Sequence, residues 1–374
     1  MKVETITWQG TWSGDSSLVD SQFVVCFFSP KALKEADVFP ELKKRYPHAT
    51  VVGCSTGGEI VEDEVLNDSA VASAVQFDSS SVQVVSADVE EGSDSKDIGE
   101  TLAKKLPQDG LKAVFILSDG LNVNGTPLVR GLLDNLPEGT LLTGGLAGDG
   151  ADFGTTYVGV DGEPQPKQVI AVGFYGDDFV AGSGSMGGWQ PFGPQRKITK
   201  SDGNVLLELD GQPALALYKT YLGDEAENLP GSALLYPLTI YPENDKDGAL
   251  VRTIVAVDED AQSMTFAGDV PEGYTGQLMS GNFDNLTDGA SAAAEQAKVS
   301  GANGDMLAIL VSCIGRKLLM GQMISDETEA VDDGLPDGTQ SIGFYSYGEI
   351  APHGFTGKCQ LHNQTMTITV FGEK

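Results

Sequence analysis

The sequence predicts an α/β (α+β) fold of mixed sheets flanked by helices, divided into two domains. Three observations carry that prediction. Short apolar runs of strand length alternate with segments of helical period. A unit of strand, helix, strand, Gly-rich turn and strand occurs three times in the same order. Apolar residues make up 40% of the 374, enough for each domain to bury a core.

The units open on the apolar runs Phe23–Phe28, Ala113–Leu117 and Met306–Val311, each followed by a serine. The first helix is expected at Ser29-Pro30, an N-cap followed by proline at the first helical position. The second is expected at Thr126-Pro127, where Leu128, Val129, Leu132, Leu133 and Leu136 mark one face. The third is expected from Arg316 into the acidic stretch near Glu329. A second strand and a Gly-rich turn follow: VVGCSTGGEI from Val51, LLTGGLAGDG from Leu141 and SIGFYSYGEI from Ser341. The first and third align without a gap, Gly53 with Gly343 and Glu59 with Glu349; the second needs one deletion and brings Asp149 to the same place. Each unit closes on a strand ending in Phe77, Phe174 or Phe371.

A different stretch separates the second and third units. It reads as a strand and turn over 203–211, a helix over 213–222, and a hairpin of 251–257 with 263–266. The Gly- and Pro-rich segment 182–194 is the candidate boundary. The domains are therefore expected at 1–195, with two units, and 196–374, with the hairpin insert and the third unit.

Charge excludes some function classes. With 54 acidic residues against 23 basic ones the net charge is −31. Nucleic acid and anionic membrane surfaces are not expected partners, because both need clustered Lys and Arg. The longest apolar runs are far short of a membrane span, and the opening residues lack a secretory pattern, so a cytoplasmic protein is expected. The four cysteines form no CxxC pair, so neither a zinc knuckle nor a disulfide framework is expected.

Several residues carry candidate chemistry. In the turn Gly53–Glu59, the thiol of Cys54, the hydroxyls of Ser55 and Thr56, and Glu59 can line a ligand pocket at a strand end; the alternative is a tight turn whose Glu59 satisfies backbone donors. A nucleophilic Cys54 needs a base, and the sequence sets none of its three histidines, His48, His353 and His362, beside it. Glu59, Asp149 and Glu349 are either paired acids or turn caps. Asn122 and Asn124, in the loop before Thr126, suit an amino-acid-like ligand or a plain turn. Arg316 suits a carboxylate clamp, a haem propionate included, or an ion pair within the chain. His353, Cys359 and His362 lack a fourth ligand for zinc, so no metal site is assigned. No Walker loop, dinucleotide fingerprint, HExxH or GxSxG occurs.

These segments resemble the FIST family of intracellular signal-transduction proteins, with its N-terminal and C-terminal domains. The resemblance rests on GCSTGGEI (53–60), TGGLAGDG (143–150), GGWQPFGP (187–194), ELDGQPALALY (208–218), SCIGR (312–316), GFYSYGEIAPHG (343–354) and LHNQTMTIT (361–369), in order along nearly the whole chain. It implies a sensor of a small ligand, not an enzyme, that regulates a signalling partner such as a histidine kinase in trans. One subset of the family resembles nitric oxide sensors that carry haem. For that subset haem b would be the cofactor, and its proximal ligand would come from His353, His362 or His48, with His353 the first choice. The rival readings are a sensor of an amino-acid-like metabolite without haem, a thiol-dependent enzyme using Cys54, and a ligand-free interaction module.

Overall fold

The computed structural model describes residues 1–14, 16–229 and 231–374. Three of its four sheets are built to one plan. Each has a parallel pair at its centre: Phe23–Phe28 with Thr50–Ser55, Leu111–Ser118 with Leu141–Leu146, and Met306–Cys313 with Thr339–Ser346. The unit's closing strand lies antiparallel on the outer side of the opening strand: Ala70–Gln76, Gln168–Tyr175 or Met366–Glu373. An edge strand then covers it: Lys2–Trp8, Ser81–Asp88 or Phe179–Met186.

The unit's remaining strand does not stay at home. Glu59–Val61 of the first unit pairs with the second strand of the third. Gly348–Pro352 of the third pairs with that of the second, and Val158–Val160 of the second with that of the first. Each unit lends a strand to the next, and the exchange closes into a ring of three.

The opening strands are apolar on both faces because both faces are covered. Phe23, Val25 and Phe27 face a core shared by all three sheets, whereas Val24, Cys26 and Phe28 face the helices Pro30–Glu35 and Val38–Arg45. In the other units Phe115 and Ile309 face inward, and Ile116 and Leu310 face helices. Aromatic contacts join every pair of sheets: Phe27 to Phe344 at 4.6 Å, Phe23 to Phe174 at 5.7 Å and Phe115 to Phe371 at 6.4 Å between centroids.

The glycines of the three turns have a steric reason. A methyl group on Gly53, Gly144 or Gly343 would lie 2.3, 2.1 or 2.1 Å from the carbonyl oxygen of Cys26, Ile116 or Leu310. In each case that residue is the glycine's partner across the parallel pair.

Some local expectations need correction. The second helix runs Gly125–Leu133 and is capped by Asn124 rather than Thr126, since the Asn124 side chain accepts from the Thr126 amide. The third helical stretch breaks at Gly321 into Ile314–Met320 and Ser325–Asp332. The first part of the Gly-rich segment 182–194 is not a linker, because Phe179–Met186 is an edge strand. Its Gly182 and Gly184 let the helix Phe283–Gln296 approach; a methyl on Gly184 would meet Ala293 O at 1.9 Å.

Between that edge strand and that helix the chain inserts a fourth, nine-stranded sheet with its own core of Ile198, Leu206, Tyr218, Phe266 and Leu278. Only the third unit carries this insert, so it breaks the threefold plan. Among the described residues no helix is long and apolar enough to cross a membrane.

Candidate functional site

The three Gly-rich turns meet at one end of the ring. Gly57 N donates to Tyr345 O at 2.8 Å, and Tyr345 N donates to Gly58 O at 2.9 Å. Ser55 Oγ donates to Gly148 O at 2.8 Å, and Tyr347 N donates to Leu146 O at 3.1 Å. Ser55 therefore ties two units together. Cys54 is wholly buried in the shared inner core, and burial pushes its thiol up, away from the thiolate that a nucleophile requires.

Glu59 and Glu349 are twins. Glu59 accepts from the Thr56 hydroxyl on one oxygen, and from Ser69 N at 3.2 Å and Ser69 Oγ at 2.5 Å on the other. Glu349 accepts from Ser346 Oγ at 2.7 Å, and from Thr365 N at 3.1 Å and Thr365 Oγ1 at 2.9 Å. In both, a hydroxyl three residues earlier and a Ser or Thr entering the closing strand clamp the carboxyl, so Thr56 belongs to the brace. Burial pushes Glu59 up to about 7 and Glu349 up to about 8, against the pull of these donors.

A pH dependence follows. Between the ordinary 4.5 and these values the folded chain holds more protons than the unfolded one. Stability from these two groups is complete below about 4.5 and is lost as pH rises through about 7 to 8. The double variant Glu59→Gln, Glu349→Gln should show a shallower fall in urea midpoint between pH 5 and pH 8.5 than the parent. Parallel pH profiles would count against buried, proton-holding carboxyls.

Asp149 departs from the twins. It accepts from Gly154 N at 2.7 Å and Thr155 N at 2.8 Å, and its other oxygen accepts from the Tyr347 hydroxyl. Tyr347 in turn stacks on Phe153 at 4.7 Å. Asp149 thus orients an aromatic wall.

That wall belongs to a cavity of about 200 Å³ between the ring and the insert. The ring contributes strand ends and the loop after Ser118: Gly120, Leu121, Leu146, Cys313 and Tyr347 among others. The insert contributes Thr253, Val255, Thr265 and Phe266. The lining is mainly apolar and aromatic, with Asn124, Asn204, Thr253 and Thr265 as side-chain amides and hydroxyls. Its two ionisable members, Cys313 and Tyr347, are pushed well up by burial. Thr253 is 4% exposed, and its hydroxyl has no hydrogen-bond partner among the described residues. Leu121, Phe153 and Val255 are more than one-third exposed, so apolar side chains of this lining reach the surface.

Asn122 stays outside this lining because its amide serves its own loop: Nδ2 donates to Asp119 Oδ1 at 3.1 Å. Asp119, wholly buried, also accepts from Leu121 N, Asn122 N and Lys167 N and shapes the loop. Arg316 is committed elsewhere. It is fully buried against Glu327, with Nη2 at 2.7 Å and Nε at 2.8 Å from Oε2. It also donates to the carbonyls of Gly187, Leu286 and Gln364.

The histidines lie apart from this cavity. His353 and His362 line a second one of about 260 Å³, their rings 5.7 Å apart. His353 Nε2 donates to Ala249 O at 3.0 Å, and its Nδ1 accepts from the amides of Phe355 and Thr356. His362 Nε2 donates to Ala351 O at 2.9 Å, and burial pushes its pKa down to about 3. His48 is exposed on the turn before Thr50. A haem ligand needs a ring nitrogen with a free lone pair facing a slot of porphyrin size. First-choice His353 has both nitrogens engaged, and the space beside it is below the ~300–1,000 Å³ usual for drug-sized ligands. As arranged, His353 does not fit a haem iron.

The cavity residues of the insert, and Phe153 and Tyr347, were not legible as a site. They come from segments far apart in sequence, and no local motif marks an unpartnered threonine.

Family models cover most of the chain and show one family. A family model for the FIST N domain matches residues 22–212, and one for the FIST C domain matches 214–352. Two uncharacterised Mycobacterium tuberculosis proteins, from strains CDC 1551 / Oshkosh and ATCC 25618 / H37Rv, are each 26% identical over 264 residues. That match spans 69% of this chain and 67% of theirs. Among solved structures, a chorismatase overlaps 99% of this chain and 97% of its own at 10% identity, with a TM-score of 0.35. A cyanuric acid hydrolase from A. caulinodans overlaps 79% and 99% at 10% identity, with a TM-score of 0.18.

Proposed function

Because this chain belongs to the FIST family, whose domains are signal-transduction sensors implicated in small-ligand binding, we propose that it binds a small, uncharged, ring-bearing metabolite between ring and insert and reports it to a separate signalling protein, such as a histidine kinase. The observation that carries this reading is the cavity itself. An apolar and aromatic lining with one buried, unpartnered hydroxyl, that of Thr253, suits a flat apolar body with one polar substituent.

Binding rather than catalysis is the reading these groups support. The ionisable side chains of the lining hold their protons at neutral pH and offer no base. Signalling would follow from the two-part wall. A ligand touching both Phe266 of the insert and Tyr347 of the ring favours one arrangement of the two bodies, and a partner that prefers that arrangement is regulated.

The test is ligand-observed NMR with a library of small phenols and cyclic amides. Compounds that bind the parent should bind Thr253→Val about tenfold more weakly, because the variant removes the hydrogen bond but keeps the shape. Equal affinity in the variant would remove Thr253 from the site and the proposal with it.

A further inference from the structure

On the far side of the wall formed by Thr126, Gly268 and Leu361 lies a further cavity of about 240 Å³. Its lining contains two arginines, Arg130 and Arg252, and one acid, Asp134, with Thr126, Cys359 and Gln360. In a chain of net charge −31 with only 23 basic residues, two guanidinium groups on one cavity call for a cause.

Arg252 is the unusual one. It is 2% exposed. Its Nε donates to Asp269 O at 3.0 Å, and its Nη1 to Val251 O at 3.2 Å and Leu361 O at 3.1 Å. Among the described residues Nη2 has no acceptor and no carboxylate forms an ion pair with the group. A buried guanidinium held only by carbonyls is costly to bury, and the chain's other fully buried arginine, Arg316, has its glutamate.

The nearby acids are already engaged. Asp134 pairs with Lys96 at 3.1 Å. Asp269 accepts from Asn124 Nδ2 at 2.8 Å and lies 3.9 Å from Arg130. Arg130 is over half exposed and stands at the open side. The free Nη2 of a buried guanidinium, an exposed cation at the rim and the Thr126 hydroxyl form a set that recognises an oxyanion.

We infer that the cavity between Arg252 and Arg130 is a second binding site, for a carboxylate or phosphate group of a small molecule. It is independent of the neutral-ligand cavity, since the two linings share no residue. The net negative charge of the protein argues against non-specific anion uptake, so saturable binding requires a built site.

The test is calorimetric titration of the whole chain with inorganic phosphate and with acetate, against chloride at matched ionic strength. Saturable heat with phosphate identifies a phosphate site, and with acetate alone a carboxylate site; either supports the inference if the variants weaken it. Arg130→Gln, at an exposed position that does not endanger folding, should weaken binding about threefold. Arg252→Lys, which keeps the charge and loses the Nη2 donors, should weaken it about tenfold. If neither anion differs from chloride, or if both variants bind as the parent does, the site does not exist.

Discussion

Replacing Arg316 with methionine is expected to lower the stability of this protein by about 3–5 kcal/mol. The guanidinium and the Glu327 carboxylate are both fully buried, joined through two nitrogens at 2.7 and 2.8 Å. Removing the arginine leaves the carboxylate in the interior without its partner, which costs far more than the lost attraction. The loss also frees the carbonyls of Gly187, Leu286 and Gln364, so the start of the insert and the helix at Leu286 loosen together. Urea unfolding measures it directly. Lys31→Met is the control, because its pairing with Asp68 is exposed and screened by solvent. A loss for Arg316→Met no larger than the control's would mean that the pair does not hold the third unit together.

Gly343→Ala should cost about 3 kcal/mol, the upper end for overpacking a close-packed interior. The added methyl would meet Leu310 O at 2.1 Å, inside the parallel pair, where neither strand can shift without moving the core. The same reasoning applies to Gly53 and Gly144, which occupy the equivalent places in the other units. Gly144→Ala should be the worst of the three, because Gly144 also has φ +140°, a conformation that other residues rarely adopt. Thermal unfolding of the three variants tests the threefold plan itself. One variant as stable as the parent would show that its unit does not share the plan.

The repeat was legible because its signals are local. Apolar runs covered on both faces, Ser29 before Pro30, and a glycine at each strand crossing are choices made within a few residues. The strand exchange was not legible, since Glu59–Val61 and Gly348–Pro352 look like any short strand and their partners lie in other units. The edge strand Phe179–Met186 was masked by glycines whose purpose, admitting a helix that begins about a hundred residues later, has no local trace. The turn residues were open to two readings, pocket lining or turn bracing, and the contacts they make are bracing ones. Ser55, Thr56, Glu59 and Glu349 brace the ring. Asp149 alone reaches the cavity, through Tyr347. Asn124 was the one cavity side chain the sequence singled out, and Thr253, Thr265 and Phe266 are ordinary until the insert brings them to the ring.

A ligand held between ring and insert can be seen there directly. The direct measurement is the crystal structure of the protein soaked with the tightest-binding compound of the NMR screen. Density is expected between Phe266 and Tyr347, with a polar atom within hydrogen-bond distance of Thr253 Oγ1. Density confined to the cavity beside His353 and His362, with the space between Phe266 and Tyr347 unchanged, would contradict it.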